Sequence, residues 1–241
     1  MSQNLTIRAN FRTAETLPTI EIQYRDLWKL AVFFDSIGLP VSEWYPPADT
    51  EEHSLLNAAF DVKGTTTAAL ALAKADKSNQ ASDLRDMGVW NGMEGNGGMA
   101  FTVMFVAMGT PSFFNLSENG ISAFKKYENI VALIRVLVET WKPMLITDSP
   151  EGYDEYEVFP DRPGAGWMIY LPLQITASQL PEAALLIPIV HDDKTQGTIV
   201  VSTTECFQTS NPEHVRRANA IETRLVDQDL LPTMIEFFGR Y

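Results

Sequence analysis

Residues 88 to 101 read Gly88-Val-Trp-Asn-Gly-Met-Glu-Gly-Asn-Gly-Gly-Met-Ala-Phe101 and continue directly into Thr-Val-Met-Phe-Val106. Inside them, Gly95-Asn-Gly97-Gly98-Met-Ala100 matches the G-x-G-x-x-[GA] pattern of dinucleotide-binding loops. That pattern works when a strand leads into it and a helix follows, because the helix N-terminus supplies the free N–H groups and the dipole that hold a pyrophosphate. Here the glycines lead into 101–106, an aromatic and β-branched run that reads as a buried strand. No βαβ unit surrounds it, so a parallel, cofactor-binding sheet is not the expectation. The glycines read as a loop with positive φ. Gly92 permits its turn, Asn91 bonds local backbone and Trp90 packs the loop onto the core.

The rest of the chain fits an α+β protein with a largely antiparallel sheet covered by helices, built as a single compact domain over residues 1–241. Residues 5–12 alternate Leu5, Ile7, Ala9 and Phe11 with polar neighbours, the pattern of a half-buried strand, here expected at a sheet edge. A helix is expected over 22–37, closed by Gly38 and Pro40. A capped helix is expected from Asp49 to about Phe60, and a short one over 66–77. Residues 113–116 are strand-like, and 122–141 carries apolar residues at steps of three and four, the spacing of a long helix. Residues 148–161 read as a loop and 167–171 as a strand. The segments 184–190 and 197–202 flank the polar stretch 191–196, a hairpin with a moderately long turn. Ser210-Asn-Pro-Glu213 opens a last helix through Ile221 and Leu225, which Pro232 breaks or kinks.

Composition narrows the function. With 241 residues and 45% hydrophobic content the chain can bury a sizeable core. There is no long uncharged apolar run and no basic-then-apolar leader, and Cys206 is the one cysteine, so the expectation is a cytoplasmic protein without disulfide, membrane span or signal peptide. The net charge of −13 opposes nucleic acid as a direct partner, since neutralising phosphates takes a basic footprint, and it favours a basic protein. Self-association is not legible.

No catalytic, metal or cofactor set is expected. His53, His191 and His214 lack the spacing of metal ligands, Cys206 has no cysteine partner, and neither a Gly-x-Ser-x-Gly elbow nor a phosphate-binding Walker loop occurs. Pro160-Asp161 followed by Asp192-Asp193-Lys194 can be written as the metal-binding pattern of restriction-type nucleases, in which carboxylates hold a divalent ion and a lysine helps activate water. Yet Asp193 and Lys194 fall in the expected hairpin turn, where polar residues need no catalytic reason. The segment 148–161 interleaves Asp148, Glu151, Asp154, Glu155, Glu157 and Asp161 with Tyr153, Tyr156 and Phe159. Carboxylates that meet cations, beside aromatic anchors, suit a basic groove on a partner protein; an ordinary solvated acidic loop has the same composition. Glu51 and Glu52 form a second acidic candidate.

Three stretches carry a resemblance. Trp44-Tyr-Pro-Pro-Ala-Asp49 after an amphipathic helix, Asp86-Met-Gly-Val-Trp-Asn-Gly92, and Gly164-Ala-Gly-Trp-Met-Ile-Tyr-Leu171 resemble, in order and spacing, the immunity protein 52 family of bacterial polymorphic toxin systems. Within it the chain is similar to antitoxins of type VI secretion effectors with a restriction-endonuclease-like DNase domain. The resemblance implies a non-enzymatic protein that neutralises a basic nuclease toxin. Asp154, Glu155, Tyr156 and Glu157, with Tyr153, Glu51 and Glu52, are the expected toxin-binding residues. A metal-dependent hydrolase built on Asp161, Asp193 and Lys194 and an acidic module for another basic partner are the alternatives.

Overall fold

The computed structural model describes residues 4–13, 15–80, 83–107 and 110–239. Among the described residues, ten strands and six α-helices follow in an α+β order: β1 Asn4–Phe11, α1 Ile20–Ser36, α2 Glu51–Ser54, β2 Phe60–Asp61, β3 Gly64–Thr65, α3 Thr67–Ala75, β4 Leu84–Trp90, β5 Met99–Val106, β6 Ser112–Asn119, α4 Tyr127–Trp141, β7 Leu145–Pro150, β8 Met168–Leu171, β9 Leu185–His191, β10 Lys194–Val201, α5 Pro212–Asp227 and α6 Met234–Gly239. Eight strands make one sheet in the order β4-β5-β6-β1-β7-β8-β10-β9, and every pairing is antiparallel. The largely antiparallel sheet expected from the sequence is therefore present, and β2 and β3 form a separate small hairpin.

β1 is not at an edge. It lies between β6 and β7, near the middle of the sheet. Its alternation reports a wet face rather than an unpaired side: Leu5, Ile7, Ala9 and Phe11 are buried under helices, whereas Thr6 and Arg8 are exposed on the opposite face. On the covered face α1 and α4 supply the core. The Phe34 ring lies 5.4 Å from Trp44 and 5.2 Å from Phe101, and Trp141 stacks on Phe11 at 5.2 Å. At the other end of the sheet both faces are covered. Met168, Tyr170, Ile199 and Val201 face the first core, while Ile169, Leu171 and Val200 meet Ile221 and Leu225 of α5. This two-sided burial is why Met-Ile-Tyr-Leu and Thr-Ile-Val-Val read as continuous apolar runs.

The opening glycines turn between two antiparallel strands. Asn91 builds the turn, its Oδ1 accepting from the Met99 N–H at 2.9 Å and its Nδ2 donating to the Gly97 carbonyl at 2.8 Å. Gly92 and Gly97 take φ of 71° and 91°, where a side chain is strained. The β9–β10 turn is shorter than expected: Asp192 and Asp193 alone form it, both with positive φ as in the hairpin turn whose twist matches the strands, and Lys194 already pairs with His191. The expected helix from 49 to 60 shrinks to the single turn α2, with Thr50 of the expected capping stretch as its cap. The expected start of α4 at 122 is a 3-10 turn over Ser122–Lys125. α5 begins as expected, with Asn211 accepting from the Glu213 N–H and Pro212 in the first turn, but it ends at Asp227, ahead of Pro232.

Candidate functional site

The acidic segment is not one loop. Residues Leu145–Pro150 are β7, and Asp148 pairs between Ile7 and Met168 with its side chain on the helix-covered face. It is fully buried, and neither carboxylate oxygen has a hydrogen-bond partner among the described residues. Burial, and then the nearby Glu118, hold its carboxyl protonated well above the ordinary carboxylate range. Glu118 on β6 is also buried and is pushed up to about 7, chiefly by burial; its Oε2 accepts from the Ile121 N–H at 2.7 Å. Asp148 thus leaves the set of surface acids.

Beyond β7, Gly152 turns the chain at φ 80° into a 3-10 turn over Tyr153–Tyr156. The Tyr153 ring is fully buried, edge-on to Phe207 at 5.5 Å, and its hydroxyl donates to Glu222 Oε1 at 2.6 Å. Glu222 on α5, 1% exposed, also accepts from the Val158 N–H at 2.8 Å and the Ala165 N–H at 2.9 Å. One buried carboxylate therefore pins both ends of the turn to α5, and Tyr153 faces inward as its peg. Asp154, Glu155 and Tyr156 stand exposed on the outer side, with Tyr156 44% accessible. Glu157 is half-buried; burial first, then Glu222 and Asp154, push its carboxyl up to about 7.

A second acidic surface forms around β4. Tyr45 bridges Trp90 through two backbone hydrogen bonds, of 2.8 and 3.0 Å. The Trp90 indole N–H donates to Ser54 Oγ at 2.7 Å, and that hydroxyl donates to the Pro46 carbonyl at 2.6 Å, so α2 is locked against the strand. Between them lies an open cleft of roughly 530 Å³ lined by Pro47, Ala48, Glu51, Asp86, Trp90 and Glu94, among others. Its lining carries three carboxylates and no lysine, arginine or histidine. Burial holds the Asp86 carboxyl above its ordinary value. Glu52 is exposed beside Glu51 in α2, a turn whose N-terminus favours negative charge.

The profile of immunity protein 52 matches residues 31–234. This chain belongs to the immunity protein 52 family. Among solved structures its fold is similar to that of the Pseudomonas aeruginosa T6SS protein PA0821, with 12% identity, a TM-score of 0.51, and coverage of 91% of this chain and 76% of that one. A comparison with curated proteins finds no match. The matched region includes both acidic surfaces and leaves β1 and the start of α1 outside it.

In this family member the residues of the nuclease-like pattern sit on separate elements. Asp192 and Asp193 are the two residues of the β9–β10 turn, while the Asp161 carbonyl accepts from the Met234 N–H at the start of α6. Among the described residues no hydrogen bond or ion pair joins Asp161 to Asp193 or Lys194, and no group of three His, Cys, Asp or Glu could hold a metal ion. Cys206 is partly buried, with its thiol pushed up by burial, the opposite of an activated nucleophile. Among the described residues no helix is long and apolar enough to cross a membrane. Sequence reasoning missed the cleft, because Asp86 and Glu94 come beside Glu51 only through the bridge between Tyr45 and Trp90.

Proposed function

We propose that this chain is a cytoplasmic, non-enzymatic immunity protein that neutralises a basic nuclease toxin, a type VI secretion effector, by stoichiometric binding. The observation that carries the reading is membership of the immunity protein 52 family across residues 31–234. The net charge of −13 supports a basic partner, because opposite fields accelerate encounter and disfavour wrong pairings. Asp154, Glu155, Tyr156 and Glu157 form the first contact surface, with Tyr153 holding them in place, and Glu51 and Glu52 contribute a second.

The test couples growth to affinity. Cells expressing a candidate nuclease toxin are expected to survive only when this protein is co-expressed. The triple variant Asp154→Asn, Glu155→Gln, Glu157→Gln is expected to bind more weakly with a shallower salt dependence, and Tyr156→Ala to lose roughly 2 kcal/mol if its ring is buried on the toxin. Unchanged affinity and salt slope in the triple variant would remove the 154–157 ridge from the interface.

A further inference from the structure

The cleft beside β4 has its origin in the sequence. After Tyr45 pairs with Trp90, an extended chain would bring residue 47 opposite Gly88 and residue 49 opposite Asp86. Pro46 and Pro47 prevent this, since a proline has no N–H to give a ladder, and the pairing stops after a single bridge. The segment 46–51 then diverges and leaves a cleft that runs along the β4 edge and over the uncovered face of β4 and β5, where Ala100 and Thr102 also line it.

The outer edge of β4 is therefore unfilled. Val89 lies opposite Phe101 and the Asn91 N–H bonds the Met99 carbonyl, so those odd-numbered residues point their backbone groups at β5. Trp90 points outward and bonds Tyr45; by the alternation of an antiparallel ladder, Gly88 and Asp86 point outward too. Among the described residues neither has a backbone partner on that side. Such an edge is a template for another strand.

We propose that this cleft receives an extended, lysine- or arginine-bearing segment of the toxin, added antiparallel or parallel to β4 as one more strand; the proposal rests on the immunity function above. Backbone hydrogen bonds to Asp86 and Gly88 supply affinity of the kind used in strand addition. Specificity for cations comes from Glu51, Asp86 and Glu94 on a lining without positive charge. The half-buried Trp90 indole, fixed by Ser54, offers a preset aromatic face for a cationic side chain. Leu56, after α2, and Met93, in the β4–β5 turn, are exposed apolar residues. An acidic segment would meet three carboxylates.

Amide exchange with the purified domain of the nuclease toxin that this protein neutralises tests the proposal. Exchange within 84–90 is expected to slow at least about tenfold in the complex, with protection at Asp86 and Gly88. Ala48→Trp, which fills the cleft, and Glu94→Lys, which reverses a rim charge, are at exposed sites and are expected to keep the parent's urea midpoint while each weakens binding at least about tenfold. A complex that forms with unchanged exchange over 84–90, or two variants that bind as tightly as the parent, overturns the groove while leaving the immunity reading intact. A parent protein that forms no complex overturns both.

Discussion

Replacing Glu222 by alanine removes the peg that holds the acidic ridge to α5, and its cost follows from what each of the three donors does next. The Ala165 N–H, on a residue 2% exposed, is left without an acceptor, at about 1–3 kcal/mol. The Tyr153 hydroxyl loses a bond to a carboxylate but keeps Asn219 Oδ1 at 3.2 Å, a net loss of about 1 kcal/mol. Val158 is 40% exposed, so its N–H turns to water at little cost. Removing the carboxylate also relieves its repulsion of Glu157, which offsets part of the sum. The expected net destabilisation is about 2 kcal/mol, a large share of the roughly 5–15 kcal/mol that holds a domain together, and it corresponds to a fall of about 1 M in the urea midpoint. Tyr153→Phe is expected to cost about 1 kcal/mol, and the double variant less than the two single costs added, because the partners share one interaction. Equilibrium urea unfolding of the three variants is the assay. A loss below about 1 kcal/mol for Glu222→Ala would refute the claim that this carboxylate organises the ridge.

Stability is expected to depend on pH through the buried acids. Glu118 and Asp148 have folded-state values raised above their unfolded ones, so the native state holds more protons, and stability is fully present near pH 4 and is lost as pH rises through about 7. The loss attributable to Glu118 is on the order of 2 kcal/mol, and Asp148→Asn is expected to flatten the thermal-stability profile between pH 5 and 8; parallel profiles for parent and variant would contradict this. Asp193→Gly relieves a residue held at φ 58° and is expected to raise the melting temperature slightly, by about 0.5–1 kcal/mol in stability, without affecting toxin binding. Gly92→Ala puts a Cβ about 3.0 Å from Leu55 and 3.1 Å from Tyr45 at positive φ, and is expected to destabilise by more than about 1 kcal/mol in the same unfolding assay.

Much of the sheet was legible because its strands carry regular apolar patterns, on one face in β5 and β6 and on both faces in β8 and β10. β5, β6, β8 and β10 announce themselves through aromatic and β-branched runs, and α5 through Asn211-Pro212. β4 and β7 were not, for one reason: Leu-Arg-Asp-Met-Gly-Val-Trp places only Met87 and Val89 in the core, and Leu-Ile-Thr-Asp-Ser-Pro carries a buried acid where the pattern calls for an apolar residue. A carboxyl that stays protonated by burial looks in sequence like a solvated one. Tyr153 and Tyr156 make the same point at short range, since two tyrosines three positions apart take opposite fates and only Glu222, far along the chain, decides which one turns inward. Local composition placed Asp154, Glu155 and Tyr156 on the surface. It could not assemble the β4 cleft, whose acids meet only through a tertiary bridge.

The central claim, stoichiometric inhibition of a nuclease by this chain, is tested most directly by titration. DNA cleavage by a fixed concentration of the candidate nuclease toxin domain is followed as this protein is added, at toxin concentrations well above the dissociation constant. The account predicts a linear fall in cleavage that ends sharply at a fixed whole-number molar ratio, with no cleavage by this protein alone in magnesium or manganese. Toxin activity that persists undiminished at a large molar excess, or metal-dependent cleavage by this protein alone that Asp193→Ala abolishes, would contradict it.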